Sequence, residues 1–188
     1  MQQTQQVKEF VSRVIAIINE TPAVKSFRVE IPNDTEINFY PGQFFMVSFP
    51  GNAEIKTARA YSISSSPMQK SYLEIALNKV GPFTTEMFKL EEGGLLKFKG
   101  PYGKFNFSED MKNDLVLIAG GTGITPLISI IRFCTHKKLQ NKITFFYSVK
   151  NPEEIIFHEA IKELKEQNPH FKYYITITRP EEQHKWAG

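Results

Sequence analysis

The chain has 188 residues, 41% hydrophobic and 23% charged, enough for one large core or two small ones at about 100–150 residues per domain. The formal net charge is +3 and no long Lys/Arg run is present, which argues against a nucleic-acid groove and leaves room for an acidic partner or a phosphate-rich ligand. Cys134 is the only cysteine, so this chain can build neither an internal disulfide nor a four-thiolate iron–sulfur cluster. No apolar stretch reaches the ~18 residues of a membrane span and the start, Met1 to Gln6, is polar, which makes the cytoplasm the expected location.

Up to Phe107 the sequence predicts short strands over 11–18, 24–31, 43–49, 59–64, 72–80 and 95–99, all rich in β-branched and aromatic residues. Pro32-Asn33-Asp34, Pro41-Gly42, Pro50-Gly51-Asn52 and Glu92-Gly93-Gly94 punctuate them. Short strands at close spacing imply an antiparallel barrel or sandwich, with one helix over 83–90. The 16 Phe residues are read first as packing for these cores.

Beyond Ser108-Glu109-Asp110 the pattern alternates between strand and helix. Residues 115–119 form a continuous apolar run, expected of a parallel strand buried on both faces. Thr125 is placed as the N-cap of the next helix with Pro126 at its first position, and Leu127, Ile128, Ile131 and Cys134 follow at helical spacing. Residues 143–149 read as a second strand. Asn151 and Pro152 are expected to open a second helix with the stripe Ile156, Ala160 and Leu164, and residues 171–178 form a third strand. Strand–helix–strand–helix–strand is a doubly wound α/β pattern. It stops at Arg179-Pro180 without a closing helix, so the sequence is expected to be a truncated form of a longer protein.

Three segments carry candidate chemistry. Gly120-Gly121-Thr122-Gly123-Ile124-Thr125 joins a buried strand to a helix N-terminus, which presents bare N–H groups and a positive dipole end to an anion. Three glycines in four positions exceed what a tight turn needs. The segment lacks the G-x-G-x-x-G spacing and a ribose-binding acid about 20 residues on, so dinucleotide, mononucleotide and phosphate all stay open. Arg59-Ala60-Tyr61-Ser62 on a strand puts a cation and an aromatic ring on one face, which could suit a flat heterocycle with a phosphate, although taken alone the plainer reading is an Arg–Tyr stripe on an exposed sheet face. Gly81-Pro82-Phe83-Thr84-Thr85 is a glycine turn with hydroxyls at a helix start, either plain capping or a phosphate turn. Gly100-Pro101-Tyr102-Gly103 reads as a turn without chemistry. The four histidines show no ligand spacing and read as surface residues, and Cys134 reads as core.

Taken in order, Pro41-Gly42-Gln43-Phe44, Arg59 to Ser62, Gly81 to Thr84, Gly100 to Gly103 and Ala119 to Pro126 resemble the ferredoxin–NADP⁺ reductase superfamily, over about residues 7–188. The resemblance implies a six-stranded antiparallel Greek-key β-barrel for FAD over 7–108, then an incomplete doubly wound parallel α/β domain for NADPH or NADH over 113–188. It implies that Arg59 pairs with the FAD pyrophosphate, that Ala60 lies in the same strand motif, that Tyr61 stacks on the isoalloxazine, and that Ser62 bonds near flavin N5. Leu77, Asn78 and Lys79 fall where the family contacts FAD, and Phe83, Thr84 and Thr85 match its second pyrophosphate loop. Gly120, Gly121, Thr122, Gly123, Ile124 and Thr125 would hold the nicotinamide nucleotide. Thr178 and Arg179 fall at the 2′-phosphate position of NADPH-using relatives, whereas Arg-Pro followed by Trp-x-Gly also occurs in NADH-using oxygenase reductases. The implied activity is hydride acceptance from NAD(P)H and electron delivery to ferredoxin, flavodoxin or an oxygenase component. A non-catalytic FAD-containing subunit of a larger complex is the alternative. A nucleotide-responsive binding module without redox activity would leave the Arg-x-Tyr-Ser strand unexplained.

Overall fold

The structure is a computed structural model that describes residues 6–33, 35–51, 55 and 57–179. Asp34, Asn52, Pro180, His184 and the segment from Trp186 to Gly188 lie outside the described residues. The first half folds as six strands: β1 (Lys8–Thr21), β2 (Val24–Glu30), β3 (Phe44–Ser48), β4 (Arg59–Ser62), β5 (Tyr72–Asn78) and β6 (Leu95–Tyr102). Their order is β4-β3-β6-β1-β2-β5, all neighbours antiparallel, and an antiparallel bridge between Ile63 and Ile75 closes the barrel.

β1 is long because it serves two neighbours. Residues 8–13 pair with β6, and the strand then shifts register near Ala16 and pairs with β2 as far as Thr21. Such a bulge adds bend and twist, as a strand turning the corner of a barrel requires. Side chains alternate along it, with Phe10, Ser12 and Val14 inward and Glu9, Val11 and Arg13 outward. Inside, Phe10 stacks on Phe98 at 5.6 Å and Phe45 meets both rings edge-on. The turn expected at 100–103 is instead strand: Gly100 to Tyr102 continue β6 across a register shift opposite β3. Gly100 is there because a Cβ would come within 2.7 Å of the Phe45 ring. Helix α1 (Pro82–Lys89) seals one end with Phe83 and Met87.

The second half is a parallel sheet of β7 (Leu115–Gly120), β8 (Ile143–Val149) and β9 (Phe171–Ile177), with α2 (Ile124–His136) and α3 (His158–Gln167). Both helices pack on one face, where Leu117, Ala119, Phe145, Tyr147, Phe171 and Ile175 are buried. The expectation that β7 is buried on both faces therefore fails: Val116 is 67% and Ile118 74% exposed, beside exposed Phe146 and Tyr174. The apolar run is real, but among the described residues only one of its faces is covered.

Two helix starts also differ from expectation. α2 opens at Ile124 because the 3-10 turn Gly121–Gly123 runs straight into it with Gly123 already helical. Thr125 is thus inside the first turn, not its cap, and its hydroxyl donates to the Thr122 carbonyl. Pro126 is tolerated there because first-turn N–H groups have no intrahelical acceptor. Asn151 and Pro152 open only a single 3-10 turn (Pro152–Glu154). Ile155, Ile156 and Phe157 then turn inward, and α3 starts after Phe157, whose φ of 58° breaks the helix. Ile156 is buried ahead of the helix, and the helix itself buries Ile161 and Leu164.

Candidate cofactor-binding site

β4 is the edge strand that carries Arg59-Ala60-Tyr61-Ser62. Cross-strand register pairs Arg59 with Val47 and Tyr61 with Phe45, whose side chains are in the barrel core. Directly paired residues project to the same side, so Arg59 and Tyr61 share the core-side face where it runs out to the barrel edge, and Ala60 and Ser62 face the other way beside Met46 and Phe44. Tyr61 is half-buried, its ring 6.0 Å from Phe83, which packs in turn 5.1 Å from Phe49. Burial pushes the Tyr61 phenol above its ordinary range, against a smaller opposing pull from the nearby Arg59 guanidinium. Arg59 is exposed, has no carboxylate partner among the described residues, and reaches only the Ala58 carbonyl at 3.4 Å. An exposed guanidinium without a counter-ion is open to an external anion.

At the end of β5, Leu77 points into the core, so only its backbone can face a ligand. Asn78 is half-buried, and exposed Lys79 donates its N–H to Ala23 and holds its ammonium 5.7 Å above the Phe88 ring. In the following turn the Thr84 hydroxyl accepts from the Val80 and Gly81 N–H groups at 2.8 and 2.9 Å and donates to the Gly81 carbonyl. Its one proton is used within the turn. Anion donors there are the first-turn amides of α1, beginning at Phe83, and the half-buried Thr85 hydroxyl. No atom lies within 4 Å of where a Cβ on Gly81 would sit, and its φ of −172° suits any residue.

The glycines of the loop after β7 differ among themselves. Gly121 needs glycine for its φ of +49°. Gly123, with φ −61° and nothing within 4 Å of a Cβ, is required by neither conformation nor packing. At Gly81 and Gly123 the missing side chain leaves space outside the protein next to a helix N-terminus, the form a phosphate cradle takes. Thr122 is half-buried and Ile124 is buried in the core below. Buried Tyr147 supports the loop: its hydroxyl donates to the Gly121 carbonyl at 3.1 Å and accepts the Ile156 N–H at 3.4 Å. Thr178 and Arg179 are exposed just past β9, at the same end of the sheet, held by their N–H groups to the carbonyls of Val149 and Lys150.

A polar network, which sequence reasoning missed, joins the halves. Buried Glu74 of β5 accepts from Arg132 of α2 at 2.6 Å, from Arg28 of β2 at 2.9 Å and from the Ser64 hydroxyl at 2.9 Å. Burial alone would raise the Glu74 carboxyl, but Arg132 and Arg28 hold it below the usual carboxylate range. Glu20 accepts from Ser26 and from the Phe157 N–H, and burial raises it. The available signal was an acid and a base set inside apolar runs, Leu73-Glu74-Ile75 and Ile131-Arg132-Phe133. Of the histidines, His136 is exposed and His158 and His170 are partly so, while Cys134 is fully buried and its thiol is pushed up to about 12. No helix among the described residues is long and apolar enough to cross a membrane.

Residues 12–107 match the family of the oxidoreductase FAD-binding domain. The chain belongs to that family. Residues 117–188 match the oxidoreductase NAD-binding domain, and the pair is the arrangement of ferredoxin reductases, with FAD and a nicotinamide nucleotide as its cofactors. Among the relatives of this chain, the phenol hydroxylase P5 protein of Acinetobacter pittii is 29% identical over 185 residues, which are 97% of this chain and 51% of the relative. Sulfhydrogenase 1 subunit gamma of Pyrococcus furiosus is 34% identical over 177 residues, 91% of this chain and 58% of the relative. The chain thus spans about half the length of such relatives. The Amycolatopsis cytochrome P450 reductase GcoB superposes with a TM-score of 0.83 at 20% identity over 96% of this chain and 55% of that one, which establishes the fold.

Proposed function

We propose that this chain is the cofactor-bearing part of an NAD(P)H-dependent flavoprotein reductase, with FAD on the barrel of residues 7–108 and the nicotinamide nucleotide on residues 113–188. The observation that carries this reading is the pair of glycines, Gly81 and Gly123, whose missing side chains face open space beside two helix N-termini. Bound FAD would accept two electrons as hydride from the nicotinamide and release them to a protein acceptor. The chain's own work is binding, orientation and electrostatics. Arg59 and the Gly81 turn would grip the FAD pyrophosphate, Tyr61 would lie on the ring system, and Ser62 would bond near its reacting nitrogen. Asn78 and Lys79 with the Leu77 backbone would line the same ligand. Gly120 to Thr125 would seat the nucleotide phosphates. No acid–base triad is needed for hydride transfer between two bound rings.

Exposed Arg179, whose backbone N–H bonds the Lys150 carbonyl at the end of the sheet where the glycine turn lies, supports NADPH over NADH, since a guanidinium pairs well with a 2′-phosphate. The acceptor class, a ferredoxin, a flavodoxin or an oxygenase component, is supported by relatives named as oxygenase reductase components, and a cytoplasmic site of action suits it. The likeness to a sulfhydrogenase gamma subunit favours a second reading, a relay subunit within a larger complex. Anaerobic mixing of the FAD-loaded protein with each nucleotide separates them. The flavin absorbance is expected to bleach, faster with NADPH. A protein that retains FAD but is bleached by neither nucleotide supports the relay, and one that binds no FAD ends both readings.

A further inference from the structure

The segment that follows the strand Arg59–Ser62 is hydrogen-bonded to the helix headed by the glycine turn, close behind both ligand-facing segments. Ser64 and Ser65 come two and three residues after Ser62 and are buried. The Ser129 hydroxyl donates to the Ser65 carbonyl at 2.7 Å, and Arg132 Nη1 donates to the Ser64 carbonyl at 2.9 Å. Ser129 is one helical turn after Thr125, and Arg132 is three residues further along on the same face. The accepting segment is itself fixed. Ser64 N–H donates to the Glu74 carbonyl at 2.8 Å, and Glu74 N–H donates to the Ser65 hydroxyl at 3.0 Å. The Glu74 carboxylate, 1% exposed, binds the Ser64 hydroxyl and both guanidiniums.

We propose that Arg132, seated on Glu74, is a positioning residue that fixes the nucleotide turn against the flavin strand, and so governs how fast the nicotinamide reduces the flavin without governing affinity for either cofactor. This rests on the reductase reading above. In the step concerned a hydride, one proton with two electrons, leaves the nicotinamide, which is oxidised, and reaches the flavin, which is reduced; no further reactant is consumed. Hydride transfer needs the two reacting atoms about 3–3.5 Å apart, and a displacement near 1 Å costs on the order of 100-fold. An apolar contact between the halves would tolerate such a slip. A carboxylate and a guanidinium that satisfy each other, with the guanidinium also on the Ser64 carbonyl, do not, because any shift leaves the buried Glu74 carboxylate with too few partners. Phe157 completes the seat: its ring lies 5.1 Å from the Arg132 guanidinium, and it is held at φ 58° with its N–H on Glu20. A bulky residue in that conformation is strained and persists only where its surroundings hold it.

The test uses the protein as its gene encodes it, loaded with FAD, and compares wild type with Arg132→Met, Arg132→Lys and Ser129→Ala. A cleft of about 350 Å3 that adjoins Glu74 and Arg132 lets water reach the vacated position, which favours a folded Arg132→Met protein. In Arg132→Met the limiting rate of anaerobic flavin reduction at saturating nucleotide is expected to fall by about tenfold or more. FAD retention and the nucleotide dissociation constant stay within about threefold, and Arg132→Lys recovers much of the rate. Independently of turnover, amide hydrogen exchange at residues 63–66 and 121–125 should quicken together in Arg132→Met, in the FAD-free protein as well. Ser129→Ala, which removes one bond only, carries the same comparison at a smaller effect should Arg132→Met fail to fold. A limiting rate within twofold of wild type, or exchange that quickens in one segment and not the other, overturns the proposal. A wild-type flavin that neither nucleotide reduces overturns the reductase reading instead, and the exchange result then decides whether Arg132 couples the two segments.

Discussion

Tyr147 shows how one buried hydroxyl can serve a site it does not line. Its oxygen bridges the Gly121 carbonyl and the Ile156 N–H, so it braces the glycine turn and the loop before α3 together. Burial keeps the phenol protonated far above neutral pH, so it stays a donor under all working conditions. Tyr147→Phe keeps the ring and its stacking on Phe145 but strips a partner from each of two backbone groups, at about 1–3 kcal/mol. We expect a lower melting temperature and weaker nucleotide binding, read by calorimetry and titration, with FAD retention unchanged; weakened FAD retention would contradict the role. Glu74 makes a second residue-scale prediction. Its folded-state pKa is depressed, so its contribution to stability is complete above the ordinary glutamate value of about 4.3 and is lost as pH falls through the folded value. Glu20 is shifted the opposite way, so the wild-type profile mixes the two. The difference between wild type and Glu74→Gln isolates Glu74: the gap in urea midpoint should be flat above about pH 5 and shrink below about pH 4. A gap that widens in acid would reverse the assigned sign.

At the level of elements, the glycine turn separates fold from ligand. Gly121→Ala forces an L-residue into left-handed backbone at a cost of about 1–2 kcal/mol. Gly123→Ala meets no atom and has an ordinary φ, so its effect on melting temperature should be small while its methyl group projects into the space given to phosphate. The expected result is a stable Gly123→Ala protein with nucleotide affinity down by about tenfold, a loss of about 1.4 kcal/mol; unchanged affinity would show that the nucleotide does not approach there. Much of this level was legible in advance. Strand alternation gave the barrel strands, and the apolar runs at 115–119 and 143–149 marked the parallel sheet. What stayed hidden has local causes. Thr125 has the residue type of a cap, but a 3-10 turn upstream had already started the helix. Asn151-Pro152-Glu153-Glu154 has the signature of a helix start, but burying Ile155 to Phe157 took precedence over continuing it. For the site, Arg59, Tyr61 and the open glycines stood out in the sequence because they are clustered. The Glu74 and Arg132 pair did not, because its members are 58 residues apart and each sits in an apolar run that reads as plain core.

Across the whole molecule, the two halves are treated unequally. The barrel closes on itself through the Ile63 to Ile75 bridge and leaves only scattered apolar side chains outside. Among the described residues the parallel sheet has one face uncovered, with Val116, Ile118, Phe146 and Tyr174 across three adjacent strands and the last two rings stacked at 5.3 Å. A parallel sheet is ordinarily covered on both faces, and a contiguous apolar patch on a soluble surface invites association. Produced as these 188 residues, the protein should bind a hydrophobic dye such as ANS and self-associate in a concentration-dependent way. Ile118→Lys places a charge at the centre of the patch while leaving the buried face of β7 intact. It should cut dye binding and shift sedimentation toward monomer without lowering FAD retention, because the barrel and the Glu74 network lie elsewhere. If Ile118→Lys unfolds the second half instead, Ile118 is packed in solution and the face is not open.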